Sequence, residues 1–257
     1  MTQVTNALSN ALWLTVSPHL KKFDQRLLCQ LAKYGSIRRW EYHQTLDEPC
    51  CLETPVNMLH DYIRRCDRAE PSGRDRTQLH LLGHGLSGVI GLIYARRFPH
   101  RVKSLTLLSV GASPAANWHG QYYGLRQLLP CSRDIILAQM VRLLFGPQGH
   151  SLTRALMQVL ERDLDTGLSL HSLTGRTEIA AGGVTPPLLI CFGGQDGIVD
   201  SAMQDRWQPF LKPDDRLWRC PQGHHFFHFD YPKQVATTIR DYWRSAVLQQ
   251  PVNLIQQ

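Results

Sequence analysis

The stretch Gly83-His84-Gly85-Leu86-Ser87-Gly88 decides the fold of this 257-residue chain. Residues 78–82 before it form an apolar run of strand length, and residues 89–99 after it read as a buried helix that ends at a proline. In the pattern G-x-S-x-G, a sharp strand-to-helix turn lifts a serine hydroxyl above the end of the strand. Here Gly83 takes the first glycine place, Gly85 the serine place and Ser87 the second glycine place. The sequence therefore predicts the turn without its hydroxyl.

Two later segments extend this pattern. Residues 187–196 form a strand-like run that leads to Asp196, and residues 223–232 place His225 seven residues before a proline. The chain order of turn, Asp and His resembles that of the α/β-hydrolase superfamily. This resemblance implies an α/β-hydrolase fold with Gly85 at the nucleophile position without a side chain, Asp196 as the acid and His225 as the base of a triad.

The spacing of strands supports the same fold class. Strand patterns at residues 11–16, 37–42 and 102–109 alternate with helical patterns, as a mostly parallel, doubly wound sheet requires. We expect one domain over residues 1–257, a length that a single α/β core can fill.

Residues 111–183 form a long insertion between two core strands. Helical patterns at 135–145 and 152–164 predict a helical insertion, and the resemblance implies that it is a cap over an apolar pocket. We predict that the aromatic side chains nearest the preceding strand line this pocket: Trp118, Tyr122 and Tyr123.

An oxyanion hole is the second part of the implied site. In the superfamily one backbone N–H comes from the residue after the nucleophile and one from a loop after an earlier strand. Here that loop contains Pro18, which has no N–H, so we predict Leu86 and His19 as the donors. Ser87 projects roughly 200° around the helix from residue 85, so we expect it to face the sheet or a neighbouring element, or to cap its own helix.

Two functional hypotheses follow. Without the hydroxyl at position 85 an acyl-enzyme cannot form in the usual way, which favours a pseudohydrolase that binds an apolar small molecule or a protein partner. The alternative is an enzyme, either an esterase-like hydrolase with another nucleophile or a dyad of Asp196 and His225. Such an enzyme would act on a small apolar ester or an acidic substrate. No cofactor is expected, and metal binding by His224, His225 and His228 is not expected because these residues belong to an aromatic, packed loop.

Charge and cysteines restrict the partners and the compartment. The net charge of +7 arises from 28 Lys and Arg against 21 Asp and Glu, and the arginines form scattered pairs, which favours a solvated surface and predicts no nucleic-acid partner. Seven cysteines without C-x-x-C spacing indicate free thiols and a cytoplasmic location. No signal pattern is recognised, and the apolar run at 11–16 is too short to span a membrane, although peripheral membrane contact remains open.

Overall fold

The computed structural model describes residues 10–45, 47–48, 51–69, 78–113, 117–168 and 179–248. In this part of the chain six parallel strands form one sheet in the order β2-β1-β3-β4-β5-β6. The strands are β1 (Ala11–Thr15), β2 (Ile37–Glu41), β3 (Leu79–His84), β4 (Val102–Leu108), β5 (Leu188–Gly193) and β6 (Arg216–Cys220). The predicted parallel α/β fold is confirmed.

Helices cover both faces of this sheet. They are α1 (Gln25–Leu31), α2 (Glu53–Ala69), α3 (Gly85–Arg97), α4 (Trp118–Leu128), α5 (Arg133–Phe145), α6 (His150–Thr166), α7 (Ser201–Asp205), α8 (Phe227–Asp230) and α9 (Pro232–Leu248). Alternation along β1 sends Leu12 and Leu14 into one hydrophobic core and Ala11 and Trp13 into the other. The first core holds residues of α2 and α3, and the second holds residues of α1 and α9, so the sheet is doubly wound.

The predicted helices of the insertion lie within α5 and α6, whereas α4 appears where the sequence showed only an aromatic stretch. The side chain of Asn117 accepts a hydrogen bond of 3.0 Å from the Gly120 N–H and so caps the first turn of α4. A single capping residue was the local signal for this helix.

The insertion packs against the rest of the domain through aromatic rings. Phe145 at the end of α5 stacks on Phe226 with ring centroids 4.7 Å apart, and it lies 4.9 Å from the ring of Phe23. The predicted bounds 111–183 include residues 114–116 and 169–178, which lie outside the described residues. The role of the insertion as a cap stays a prediction.

Two further expectations concern cysteines and membranes. The six cysteines in the described ranges are free thiols, and Cys50 lies outside those ranges. Across the same ranges, none of the helices has the length and apolar character needed to cross a membrane.

Candidate functional site

The turn between β3 and α3 is built by close backbone packing. A Cβ atom at Gly83 would lie 2.6 Å from the backbone nitrogen of Gly88, so position 83 has no space for a side chain. Gly85 differs because its φ is +50°, a left-handed conformation, and an added Cβ would meet Nε2 of His225 at 4.0 Å and, outside the adjoining backbone, no other atom of the described residues within 4 Å. The backbone of the turn would therefore direct a side chain at position 85 toward His225, but glycine has no side chain.

His225 and Asp196 form a buried pair beside this turn. Nδ1 of His225 lies 3.0 and 3.1 Å from the two carboxylate oxygens of Asp196, and the N–H groups of Ile198 and Val199 also donate to that carboxylate. Burial raises the pKa of Asp196, but the charge and hydrogen bond of His225 and the two N–H groups together bring that pKa below its ordinary value. Since an ionised carboxylate only accepts, Nδ1 carries the proton, and the open nitrogen Nε2 faces Gly85.

The backbone of His225 is fixed by two side chains that the sequence did not single out for this role. Its carbonyl oxygen accepts hydrogen bonds from Oγ of Ser109, at 2.9 Å, and from Nε2 of His84, at 3.0 Å. Burial, together with the nearby His228 and His225, holds the pKa of His84 well below its ordinary value, so His84 is neutral. Ser109 directly follows β4 in the chain. Its φ is +51°, which is rare for a residue with a side chain.

A cavity of about 40 Å³ lies above the turn. Its wall consists of Leu14, Thr15, Ser17, Leu20, Asp24, His84, Gly85, Leu86, Ser87, Ser109, Asn117, Trp118, His119, Leu168, His225 and Phe226. This volume holds a group of a few non-hydrogen atoms. The wall joins apolar side chains of the core and the insertion to the polar groups around position 85.

Some predicted pocket residues lie on this wall and some do not. Trp118 lines the cavity, whereas Tyr122 is buried and Tyr123 is 41% exposed, and among the described residues neither is part of the wall. Tyr122 lies one helical turn beyond Trp118 on the same face of α4 and packs in the hydrophobic core, whereas Tyr123 lies on a different face.

The two predicted oxyanion donors also separate. Leu86 lies on the wall, but His19 is exposed, with its ring Nε2 2.8 Å from Oγ1 of Thr166. Ser17 borders the cavity in this part of the loop. His19 lies in the 3-10 helix of residues 18–23, and the role of its backbone N–H as an oxyanion donor stays a prediction.

Ser87 has a structural partner. Its Oγ accepts a hydrogen bond of 3.0 Å from the backbone N–H of Val16, so it faces a neighbouring element, one of the predicted alternatives. Ser87 is 7% exposed and borders the cavity from the first turn of α3.

The other histidines of the loop have environments of their own. Nε2 of His228 lies 3.0 Å from Oδ1 of Asp24, whose second oxygen accepts a hydrogen bond from Nε1 of Trp13. The ring of His224 lies beside Gly146. Within the described ranges no group of three or more His, Cys, Asp or Glu side chains is arranged to hold a metal ion.

A second buried His–Asp pair lies in the insertion. Nε2 of His119 in α4 is 3.1 Å from Oδ2 of Asp163 in α6, both residues are buried, and His119 is part of the cavity wall. The sequence carried one signal for it: Asp163 follows Leu156 and Leu160 on the apolar stripe of α6, where a charged residue needs a buried partner.

Comparison with known proteins agrees with this architecture. The sequence pattern of the "Alpha/beta hydrolase family" matches residues 29–238. An uncharacterized protein of Synechocystis sp. is 40% identical over 234 residues, covering 91% of this chain and 90% of its own length. An uncharacterized protein of Nostoc sp. is 40% identical over 240 residues, covering 93% of this chain and 92% of its own.

Solved structures show the same fold at low sequence identity. The meta-cleavage product hydrolase from Pseudomonas fluorescens IP01 matches with a TM-score of 0.67 and 11% identity, covering 92% of this chain and 91% of its own. The naproxen esterase from Bacillus subtilis matches with a TM-score of 0.68 and 14% identity, covering 91% of this chain and 83% of its own. The fold and site define an α/β hydrolase scaffold, and the chain belongs to the alpha/beta hydrolase family.

Proposed function

We propose that this protein is a pseudohydrolase that binds a small, mainly apolar molecule in the cavity above Gly85. The observation that carries this proposal is the space at the nucleophile position. Gly85 has the left-handed backbone of the turn, and beyond the adjoining backbone the described residues place one atom, Nε2 of His225, within 4 Å of the site of its missing Cβ. No hydroxyl at this position is available to form an acyl-enzyme.

The cavity wall supports a ligand with an apolar body and one polar group. Leu14, Leu20, Leu86, Trp118 and Phe226 supply apolar contacts. With Nδ1 of His225 donating to Asp196, Nε2 of the neutral tautomer accepts a hydrogen bond, so a ligand hydroxyl or N–H takes the place of the serine hydroxyl. A volume of about 40 Å³ suits part of a small molecule better than a side-chain cluster of a protein partner.

A second candidate function rests on the retained pair of Asp196 and His225. The ionised carboxylate supports an imidazole that can take up a proton at Nε2. In this reading His225 removes a proton from an acidic substrate, or from a water molecule that attacks a small ester. No covalent intermediate at position 85 is involved.

A labelling experiment separates these functions. Wild type, Gly85→Ser and His225→Gln are treated with a fluorophosphonate probe and with p-nitrophenyl acetate, and intact mass and the burst of p-nitrophenol are recorded. We expect no label and no burst from wild type. Gly85→Ser gains a label at position 85 and hydrolyses the ester at a rate about 10²–10³ below that of an intact site, because Pro18 offers no N–H to the oxyanion loop.

The alternative outcomes are equally clear. Stoichiometric labelling of wild type that maps to Ser87 would overturn the pseudohydrolase proposal. Steady ester hydrolysis by wild type without a covalent label, lost in His225→Gln, would instead establish the dyad enzyme.

A further inference from the structure

The second His–Asp pair shares the cavity with the first. His119 approaches from α4 and His225 from the loop after β6, and both rings belong to the wall of the same cavity. Each ring is buried, with the whole residue 4% and 2% exposed, and each is held through one nitrogen by a buried carboxylate. Two independent parts of the chain therefore direct a supported imidazole to one small volume.

The supporting carboxylates determine which ring nitrogen is open. Asp163 faces Nε2 of His119, and Asp196 faces Nδ1 of His225. With each carboxylate as the acceptor, the facing nitrogen donates, and the opposite nitrogen of the ring is the acceptor of the neutral tautomer. Nδ1 of His119 has no hydrogen-bond partner among the described residues, and like Nε2 of His225 it is then an acceptor.

The remaining charges around the cavity disfavour an anionic ligand. Among the described residues, the wall contains no Lys or Arg side chain. Its one acidic residue, Asp24, is already bound to Trp13 and His228. A wall that carries acceptors on His119 and His225 and no fixed cation matches a neutral molecule that donates hydrogen bonds to both rings.

We propose that His119, positioned by Asp163, is a second ligand-binding residue, and that the ligand is a neutral molecule whose two hydroxyl groups contact His119 and His225. A short diol is the chemical class that fits. This inference rests on the proposed function, because it requires that the cavity above Gly85 binds a small molecule. The inference adds His119 of the insertion as a ligand contact, and it requires that the ligand has two hydrogen-bond donors.

The experiment compares 1,3-propanediol with 1-propanol as probes. Protein carrying ¹⁵N-labelled histidine is titrated with each alcohol, and the imidazole nitrogen resonances are followed by NMR. We expect 1-propanol to shift the resonance of His225 Nε2 and 1,3-propanediol to shift that of His119 Nδ1 as well. The diol binds about fivefold more tightly, which is the typical gain from one neutral hydrogen bond.

A variant tests the role of His119 without removing its link to α6. In His119→Gln the side-chain amide can still donate to Asp163, as Nε2 does, but the acceptor at Nδ1 is lost. We expect the affinity ratio of diol to mono-alcohol to fall to about one. A ratio that stays near five in this variant would overturn the inference.

The wild-type spectra distinguish failure of the inference from failure of the proposed function, and they do not depend on the folding of a variant. If both alcohols shift only His225 and bind equally, His119 is not a ligand contact, and the proposed binding function stands. If neither alcohol shifts the His225 resonance, both the proposed function and this inference are wrong.

Discussion

Gly83 and Gly85 stand two residues apart in the turn and are glycines for different physical reasons. At Gly83 the problem is steric, because an added Cβ would lie 2.6 Å from a backbone nitrogen and 2.7 Å from the carbonyl carbon and oxygen of Ser87. At Gly85 space is available, and the cost of a side chain comes from the φ of +50°. Relatives with a serine at this place would bear that strain to display a nucleophile, whereas this chain avoids it.

These reasons predict different responses to alanine. Gly85→Ala is expected to destabilise the fold by about 1 kcal/mol, the cost of a left-handed residue offset by a less flexible unfolded chain. Gly83→Ala is expected to cost roughly 3 kcal/mol or more, because backbone must move. Gly124→Ala is the control: its Cβ would meet nothing within 4 Å in α4, so a gain of about 0.5–1 kcal/mol is expected. Urea unfolding measures all three, and equal losses for Gly83→Ala and Gly85→Ala would contradict the steric argument.

At the scale of elements, Ser87 joins the first turn of α3 to the segment after β1. Val16 follows the last residue of β1, and its backbone N–H donates to the Ser87 hydroxyl rather than to another backbone group. The serine that stands two residues beyond the nucleophile position therefore helps to fix the loop that leads to Ser17 on the cavity wall.

Loss of the hydrogen bond between Val16 and Ser87 should lower the free energy of unfolding. Ser87→Ala leaves the buried N–H of Val16 without its partner, so we expect a loss of about 1–3 kcal/mol in the free energy of unfolding. The matched control is Ser151→Ala, at an exposed position of α6, where a change within about 0.5 kcal/mol is expected. A loss no larger for Ser87→Ala than for the control would show that water or another acceptor replaces the Ser87 hydroxyl.

At the scale of the whole molecule, buried histidines couple folding to pH. His80 of β3 is buried and stacks on Trp243 of α9, with ring centroids 4.8 Å apart. Its Nδ1 forms a hydrogen bond with Oγ of Ser104. Burial, followed by the charge of Lys103, lowers the pKa of His80 from 6.5 to about 3, and burial also lowers the pKa of His84. Below pH 6.5 the unfolded chain takes up protons at these residues that the folded chain does not, so acid favours unfolding.

We therefore expect the free energy of unfolding to fall as the pH drops from 6.5 toward 4. His80 alone contributes about 1.4 kcal/mol per pH unit over this range, and His84 acts in the same direction. The lowered pKa of Asp196 extends the loss to lower pH, because its contribution disappears as the carboxylate is protonated. In His80→Asn the slope of stability against pH should decrease by about 1.4 kcal/mol per unit, whatever the stability at pH 7. Urea unfolding at several pH values measures this slope, and an unchanged slope would mean that His80 is protonated in the folded state.

Local signals in the sequence predicted the parallel sheet and the glycine turn, because apolar runs of strand length and glycines in a tight turn lie within short segments. The roles expected for Asp196 and His225 came from the resemblance to the α/β-hydrolase superfamily. Gly85 and His225 lie 140 positions apart, and the structure brings them together because β3 and β6 are parallel strands whose ends lie at one edge of the sheet.

The side chains that surround that edge could not be predicted from the sequence, because they depend on how the elements pack. The tertiary structure placed Ser17 and not His19 on the cavity wall, kept Trp118 there without Tyr122 and Tyr123, and paired His119 with Asp163. These outcomes depend on the rotation of short helices about their axes and on contacts between residues far apart in the chain, such as Asp24 and His228, 204 positions apart. The periodicity of a single sequence specifies which face of a helix is buried, but the identity of the buried partner follows from how the helices pack on one another.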